Sequence, residues 1–234
     1  MNPIVFGLDL RNIRPSAFKS KNMWNKAYHL RSERFILYQL AMVITVVAEC
    51  LATYALDKYL HLQDHSQKRY PGVYVYNNDI VGATGLTIFA GVFNACVFGS
   101  IFFFLLFWPE SRETPFWAAA KQVGAVVAML SVLAASITST VIGATHSATI
   151  SGVDEATRQA ITAEAEVPLK YSHYRYIIVY IVLLWIGWVF TLASTVMVFI
   201  ASNYYLHHQP APHPTRQGTA DSEKALRNDG AAQA

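Results

Sequence analysis

Glu49 is the residue best placed to do unusual chemistry. It lies in an apolar run, Phe35 to Leu56, that carries no other charge. A carboxyl group inside hydrocarbon is costly, and such groups are generally paired or functional. Seven residues separate Glu49 from Leu56, about 10 Å at 1.5 Å per residue. The same depth in neighbouring apolar runs falls at Thr87, Thr138 and Ser139, with Asn94 two turns further in. These five residues form a candidate intramembrane polar layer. Three readings of Glu49 are open: ion or proton coupling, pairing with the helix of a partner, or a carboxyl hydrogen-bonded within one bundle. No Lys, Arg or His lies at its depth, so the expected form at neutral pH is uncharged, with Thr87, Thr138 or Ser139 as bonding partners.

Other reactive residue types are sparse. His61 and His65 stand at i, i+4 with Asp64 between them, which on a helix puts both imidazoles on one face. No third ligand is fixed nearby, so no metal is expected. Cys50 and Cys96 both fall inside apolar runs and are expected to act as small buried apolar residues. GxSxG, HExxH, Walker and GxGxxG patterns are absent, as is any pair of intramembrane carboxylates. No cofactor and no catalysis are expected.

The elements that must position these residues are apolar helices. Charged residues make up 14% of the 234, below the roughly 25% usual for soluble domains, and hydrophobic residues make up 53%. Mean hydropathy is +0.27 despite two polar ends. This excludes an ordinary water-soluble enzyme, and a net charge of +3 gives little basis for binding nucleic acid. Four runs, 35–56, 80–108, 122–146 and 176–205, are long enough to cross about 30 Å of hydrocarbon as helices. Their continuity rules against barrel strands, which alternate polar and apolar residues. The expected fold is an all-α integral membrane bundle of four helices, residues 35–205. A basic arm (1–34) precedes it and a disordered tail (206–234) follows. The arm shows no cleavable signal pattern, so the first span is expected to act as its own insertion signal.

Small residues mark the expected helix contacts. Ala83, Thr87, Gly91, Ala95 and Gly99 recur every four residues in the second run. Ser131, Ala135, Ser139 and Gly143 do so in the third. Such ridges let backbones approach closely in lipid, within one chain or between copies.

Lys and Arg set the expected orientation. The arm, the 109–121 loop and the tail hold 12, against 6 in the 57–79 and 147–175 loops, which places both termini in the cytoplasm. Seven of the 12 lie in the arm, where they could gather anionic lipid or serve only as the topology signal. Uncharged stretches longer than 28 residues favour a thick bilayer, and so the plasma membrane. Tyr54, Tyr59, Tyr171, Tyr174 and Tyr176 are expected at one membrane interface, and Trp108, Trp117, Tyr204 and Tyr205 at the other. Between spans, Tyr70-Pro-Gly-Val-Tyr-Val-Tyr76 reads as a turn followed by a short strand or a membrane-resting segment. Residues 154–167 read as a short helix introduced by Ser151 and stopped by Pro168.

Four spans, a short Trp108-Pro-Glu-Ser-Arg-Glu-Thr-Pro-Phe-Trp117 loop, a polar tail and outer loops without cysteine resemble the MARVEL-type four-helix membrane proteins. The missing loop cysteines set the chain apart from claudin-like proteins and tetraspanins. The resemblance covers residues 35–205 and is one of architecture, so no family site transfers to a residue here. It implies a role in membrane organisation, vesicle traffic or junctions, without catalysis. A membrane organiser, scaffold or accessory subunit, contacting lipids, other membrane proteins or itself, is the first expectation. A small transporter or channel component using Glu49 is the alternative.

Overall fold

A computed structural model describes residues 30–108 and 113–208, with positions 4, 5, 8, 9, 13, 18, 19 and 24 of the arm. The tail beyond residue 208 lies outside the described residues, and with it the expectation of disorder there. In the arm, β1 (Ile4–Val5) pairs antiparallel with β2 (Leu8–Asp9). The helices are α1 (Arg31–Arg69), α2 (Asn78–Phe107), α3 (Pro115–Thr145), α4 (Glu155–Glu164) and α5 (Arg175–His207). All but α4 are long and apolar enough to cross a membrane, with 18-residue windows of mean hydropathy 2.0–2.3. This is the make-up of a multi-pass membrane protein.

Helix α3 starts before its apolar segment, and α1 runs past its own at both ends, for local reasons. Thr114 caps α3 by accepting the Trp117 N–H at 3.3 Å, and Pro115 occupies the first helical position, where its missing N–H costs nothing. Helix α1 begins four residues inside the expected arm and runs 13 beyond Leu56. The stretch 57–69 is therefore helix, a correction to its reading as loop. Lys68 and Asp64 pair at i, i+4 along it, and the helix stops at Arg69, leaving Tyr70 extended before Pro71, as the ring of that proline favours.

One periodicity organises the bundle. The buried residues of α1 include Tyr38, Ala41, Thr45, Ala48, Ala52, Ala55, Tyr59, Leu62 and Ser66, spaced alternately by three and four. Those of α5 include Ile177, Tyr180, Leu184, Gly187, Thr191, Ser194, Val198 and Ala201, with the same spacing. A 3.5-residue repeat keeps one seam against its neighbours in a left-handed supercoil. Helix α1 packs on α2 and α5, and α3 packs on the same two, which closes an antiparallel four-helix ring. Arg31 and His207 thus share one end, the termini end.

Large apolar residues face outward: Val43, Val47, Phe89, Val92, Leu130, Ile137, Val182, Val189 and Phe199 are all exposed along the spans. The interior combines Ala, Gly, Ser, Thr and Asn at the close helix contacts with large side chains such as Tyr38, Phe98, Val132, Tyr180 and Leu184. In lipid, large residues lose nothing by facing out, so association rests on close packing of small ones and on hydrogen bonds.

The opposite end carries a cap. Strand β3 (Tyr74–Tyr76) pairs antiparallel with β4 (Thr149–Ser151), in the register Val75 to Ile150, so the two longer connections form one unit. Val73 and Val75 are buried against Ile161 of α4, while Tyr74 and Tyr76 are exposed. Gly72 and Gly152 have φ of +91° and +86°, and a Cβ on Gly152 would run into the Gly72 carbonyl oxygen. The helix at 155–164 matches expectation, but Asp154 rather than Ser151 stands at its N-cap, and it ends four residues before Pro168.

Candidate functional site

The centre of the bundle is a polar seam around Asn94, which is fully buried. Its Nδ2 donates to the Thr45 hydroxyl at 3.0 Å and to the Ala41 carbonyl at 3.2 Å. Thr191 of α5 lies 3.4 Å from Asn94 Oδ1. One amide therefore bridges α1, α2 and α5. Thr45 donates its proton to the Ala41 carbonyl at 2.8 Å, and Thr191 has one proton to divide between the Gly187 carbonyl at 2.8 Å and Asn94 Oδ1. An added Cβ on Gly187 would lie 2.8 Å from Thr45 Cγ2, so this glycine lets α5 approach α1.

Two turns toward the cap, Thr87 and Ser139 are both buried and 3.1 Å apart. Thr87 donates to the Ala83 carbonyl at 3.0 Å, so its one proton is spent and Ser139 is the donor between them. Thr138, at the same level, is only partly buried and makes no hydrogen bond with the pair.

Glu49 is not part of that layer, which corrects the expected bond to Thr87, Thr138 or Ser139. Its side chain lies in the groove between α1 and α2, partly exposed on the flank of the bundle. A Cβ on Gly91 would sit 2.7 Å from Glu49 Oε2 and 3.0 Å from its Cβ, so Gly91 is the notch in which the side chain rests. Among the described residues its carboxyl has no hydrogen-bond partner. Depth along a helix follows from counting residues, but direction does not: Glu49 stands one step off the Thr45–Ala48–Ala52 seam.

The small-residue ridges face inward for the most part. Ala83, Gly91, Gly99, Ala135 and Gly143 are buried, and Gly143 receives Ile181 of α5 at 2.8 Å from its would-be Cβ. Ala95 and Ser131 lie at the edges, partly exposed. These ridges build the interior of one chain. Cys50 and Cys96 are exposed on the apolar flank, a correction to their reading as buried. His61 and His65 stack on one face of α1 with ring centroids 6.0 Å apart, as their spacing predicts. No cluster of three metal-ligating side chains occurs among the described residues.

Residues under the cap carry a network that hydropathy did not reveal. Asp79 Oδ1 accepts the Ile80 N–H and the Tyr171 hydroxyl, both at 2.8 Å. Its Oδ2 lies 2.8 Å from His146 Nδ1, which must carry the proton because a carboxylate only accepts. Tyr59 donates to the Pro168 carbonyl at 2.8 Å, and Asn77 donates to the Tyr59 carbonyl at 2.9 Å. Tyr59 and Tyr171, expected at the lipid interface, are instead fully buried and meet edge to face at 5.2 Å. Burial first, then the bond to Asp79, pushes the Tyr171 phenol well above its usual range. Lys58 and Glu166 pair at 2.8 Å and Arg69 and Glu164 at 3.4 Å, joining α1 to the second connection. The Lys58 bond holds the Glu166 carboxyl below the usual range, and Lys58 is raised in turn. Every donor in this network has a structural acceptor, so it is a clamp. Asn77 and Asp79 at the start of α2 were its only sequence signal. Beside the clamp, α4 and β4 border an open groove of about 720 Å³ lined by residues including Thr149, Arg158, Thr162 and Lys170.

Comparison with protein families, with characterised proteins and with solved structures finds no match to this chain.

Proposed function

We propose that this chain is a non-enzymatic membrane organiser, scaffold or accessory subunit that works through helix and lipid contacts. The observation that carries this reading is the direction of Glu49. Its carboxyl lies on the flank of the bundle, while the interior at that level is closed by the Thr87–Ser139 pair and buried alanines. A transporter would set its titrating group in a water-reached interior path. A carboxyl facing lipid instead offers a polar contact to a hydroxyl, an amide or a helix of another molecule, where low polarity strengthens it. The role stays close to that implied by the resemblance to MARVEL-type proteins. Cytoplasmic termini and residence in the plasma membrane belong to the same proposal, supported by the Lys and Arg distribution and the length of the spans.

Reconstituted vesicles test it. Wild type, Glu49→Gln and Glu49→Leu are compared for ion and proton flux and for oligomeric state on dilution in lipid. The expected result is no Glu49-dependent flux, association retained in Gln and weakened in Leu. A flux that both substitutions abolish equally would make the chain a transport component and end the organiser reading.

A further inference from the structure

At the termini end, Arg34 presents an unusual arrangement. It is 6% exposed, and its Nε donates to the Tyr38 hydroxyl at 3.3 Å. Its guanidinium lies over the Tyr205 ring of α5, 5.8 Å from the centroid. Yet Nη1 is buried with no hydrogen-bond partner among the described residues, and so is the Tyr205 hydroxyl. Leaving a buried donor unpaired is costly, more so on a charged group. Both residues line one recess of about 50 Å³, together with Lys121, Glu113 and the apolar side chains Ile101, Phe104 and Leu105. Lys121 pairs with Glu113 at 2.6 Å, so that carboxylate is neutralised by its own lysine and Arg34 supplies the net positive charge. The recess is larger than the roughly 30 Å³ share of one water and smaller than a lipid headgroup. It therefore accepts an oxygen or two of a larger anion. Polar donors stand where α1 enters and α5 leaves the bundle, and the apolar lining belongs to the last two turns of α2, which lead into the span.

We propose that this recess binds the phosphate of an anionic membrane lipid. A phosphate oxygen accepts from Arg34 Nη1 and from the Tyr205 hydroxyl, Arg34 supplies the charge, and an acyl chain lies along the exposed ring of Phe104. Arginine suits such an oxygen through its fixed, delocalised donors. The inference rests on the membrane placement of the four spans and is independent of whether Glu49 meets a partner.

The full chain in mild detergent is mixed with equal amounts of phosphatidylglycerol and phosphatidylcholine, and lipid retention is read by native mass spectrometry. Wild type is expected to retain one phosphatidylglycerol in preference, and Arg34→Gln to lower that preference on the order of tenfold. Lys19→Gln removes the same charge from an exposed position of the arm and is expected to leave the preference unchanged. An equal loss in Lys19→Gln would assign the effect to diffuse surface charge and overturn the site. So would the absence of any preference in wild type, which leaves the recess to water. Displacement of the lipid by millimolar inorganic phosphate would make free phosphate the ligand and overturn the lipid assignment. Should Arg34→Gln not fold, Tyr205→Phe decides, because it deletes one hydroxyl only: a reduced preference supports the site, and an unchanged one overturns it.

Discussion

Glu49 and Gly91 are fitted to each other: the carboxyl of one occupies the space in which the other would carry a Cβ, 2.7 Å from Oε2. The pair joins α1 to α2 without a hydrogen bond, so shape holds it. Gly91→Leu should force the helices apart and cost about 1–3 kcal/mol, the usual range for overpacking. Gly91→Ala should be milder, because the end of the Glu49 side chain can swing outward. Unfolding by denaturing detergent from mixed micelles would measure both. Equal stability of Gly91→Leu and wild type would mean that the helices do not meet there.

Asn94 bridges three helices, and Asn94→Leu removes all three contacts at once. The neighbouring Thr45 and Thr191 keep their own carbonyl acceptors, so no new unpaired group is created. The expected cost is therefore modest, about 1–2 kcal/mol, in the range of interhelical hydrogen bonds in membranes. The same unfolding assay reads it. A loss well above that range would show that the seam does more than join helices.

Gly152 holds a left-handed backbone against the Gly72 carbonyl. Gly152→Ala should strain the β3–β4 junction by about 1–3 kcal/mol and loosen the cap, leaving the spans intact. Amide hydrogen exchange should speed up at 70–76 and 147–153 and stay unchanged in α2 and α3. Faster exchange throughout would contradict a cap that is energetically separate from the bundle.

The Lys58–Glu166 pair gives the cap a pH response with a definite sign. Glu166 is held below its usual range, so its contribution is present above the unfolded value of about 4.3 and lost as pH falls further. Lys58 is raised, so its contribution is present below its unfolded value of about 10.4 and lost as pH climbs through the folded one. Between those limits the clamp should be insensitive to this pair. Hydrogen exchange at 164–170, followed from neutral to acid pH, should show loosening only in the acid range, and Glu166→Gln should abolish that step. Acid loosening that persists in Glu166→Gln would assign it to another group.

The four spans were legible because an uninterrupted apolar run of such length has one solution in lipid, a helix. The small-residue ridges were legible as contact surfaces, because Gly91 and Ala135 permit close backbone approach, but their spacing left open whether they meet a helix of the same chain or of another copy. Residues 57–69 misled because Asp57, Lys58, Asp64 and Lys68 look like loop, while Tyr59, Leu62 and Ser66 quietly continue the buried spacing of α1. The cap was hidden because Val75 and Ile150 pair across about a third of the chain, and no local pattern announces such a partner. Cys50 and Glu49 were misplaced for one shared reason: counting gives a level in the membrane but no bearing around the helix.

That bearing is the centre of the account. A nitroxide label at Glu49→Cys, with Cys50 and Cys96 replaced by alanine, reports its surroundings directly in lipid vesicles. Collision with dissolved oxygen, which concentrates in hydrocarbon, is compared with collision with a water-soluble nickel complex. A label on the lipid-facing flank between α1 and α2 should be strongly relaxed by oxygen and hardly touched by nickel. Strong nickel relaxation with weak oxygen relaxation would place position 49 in a water-filled path and contradict the account.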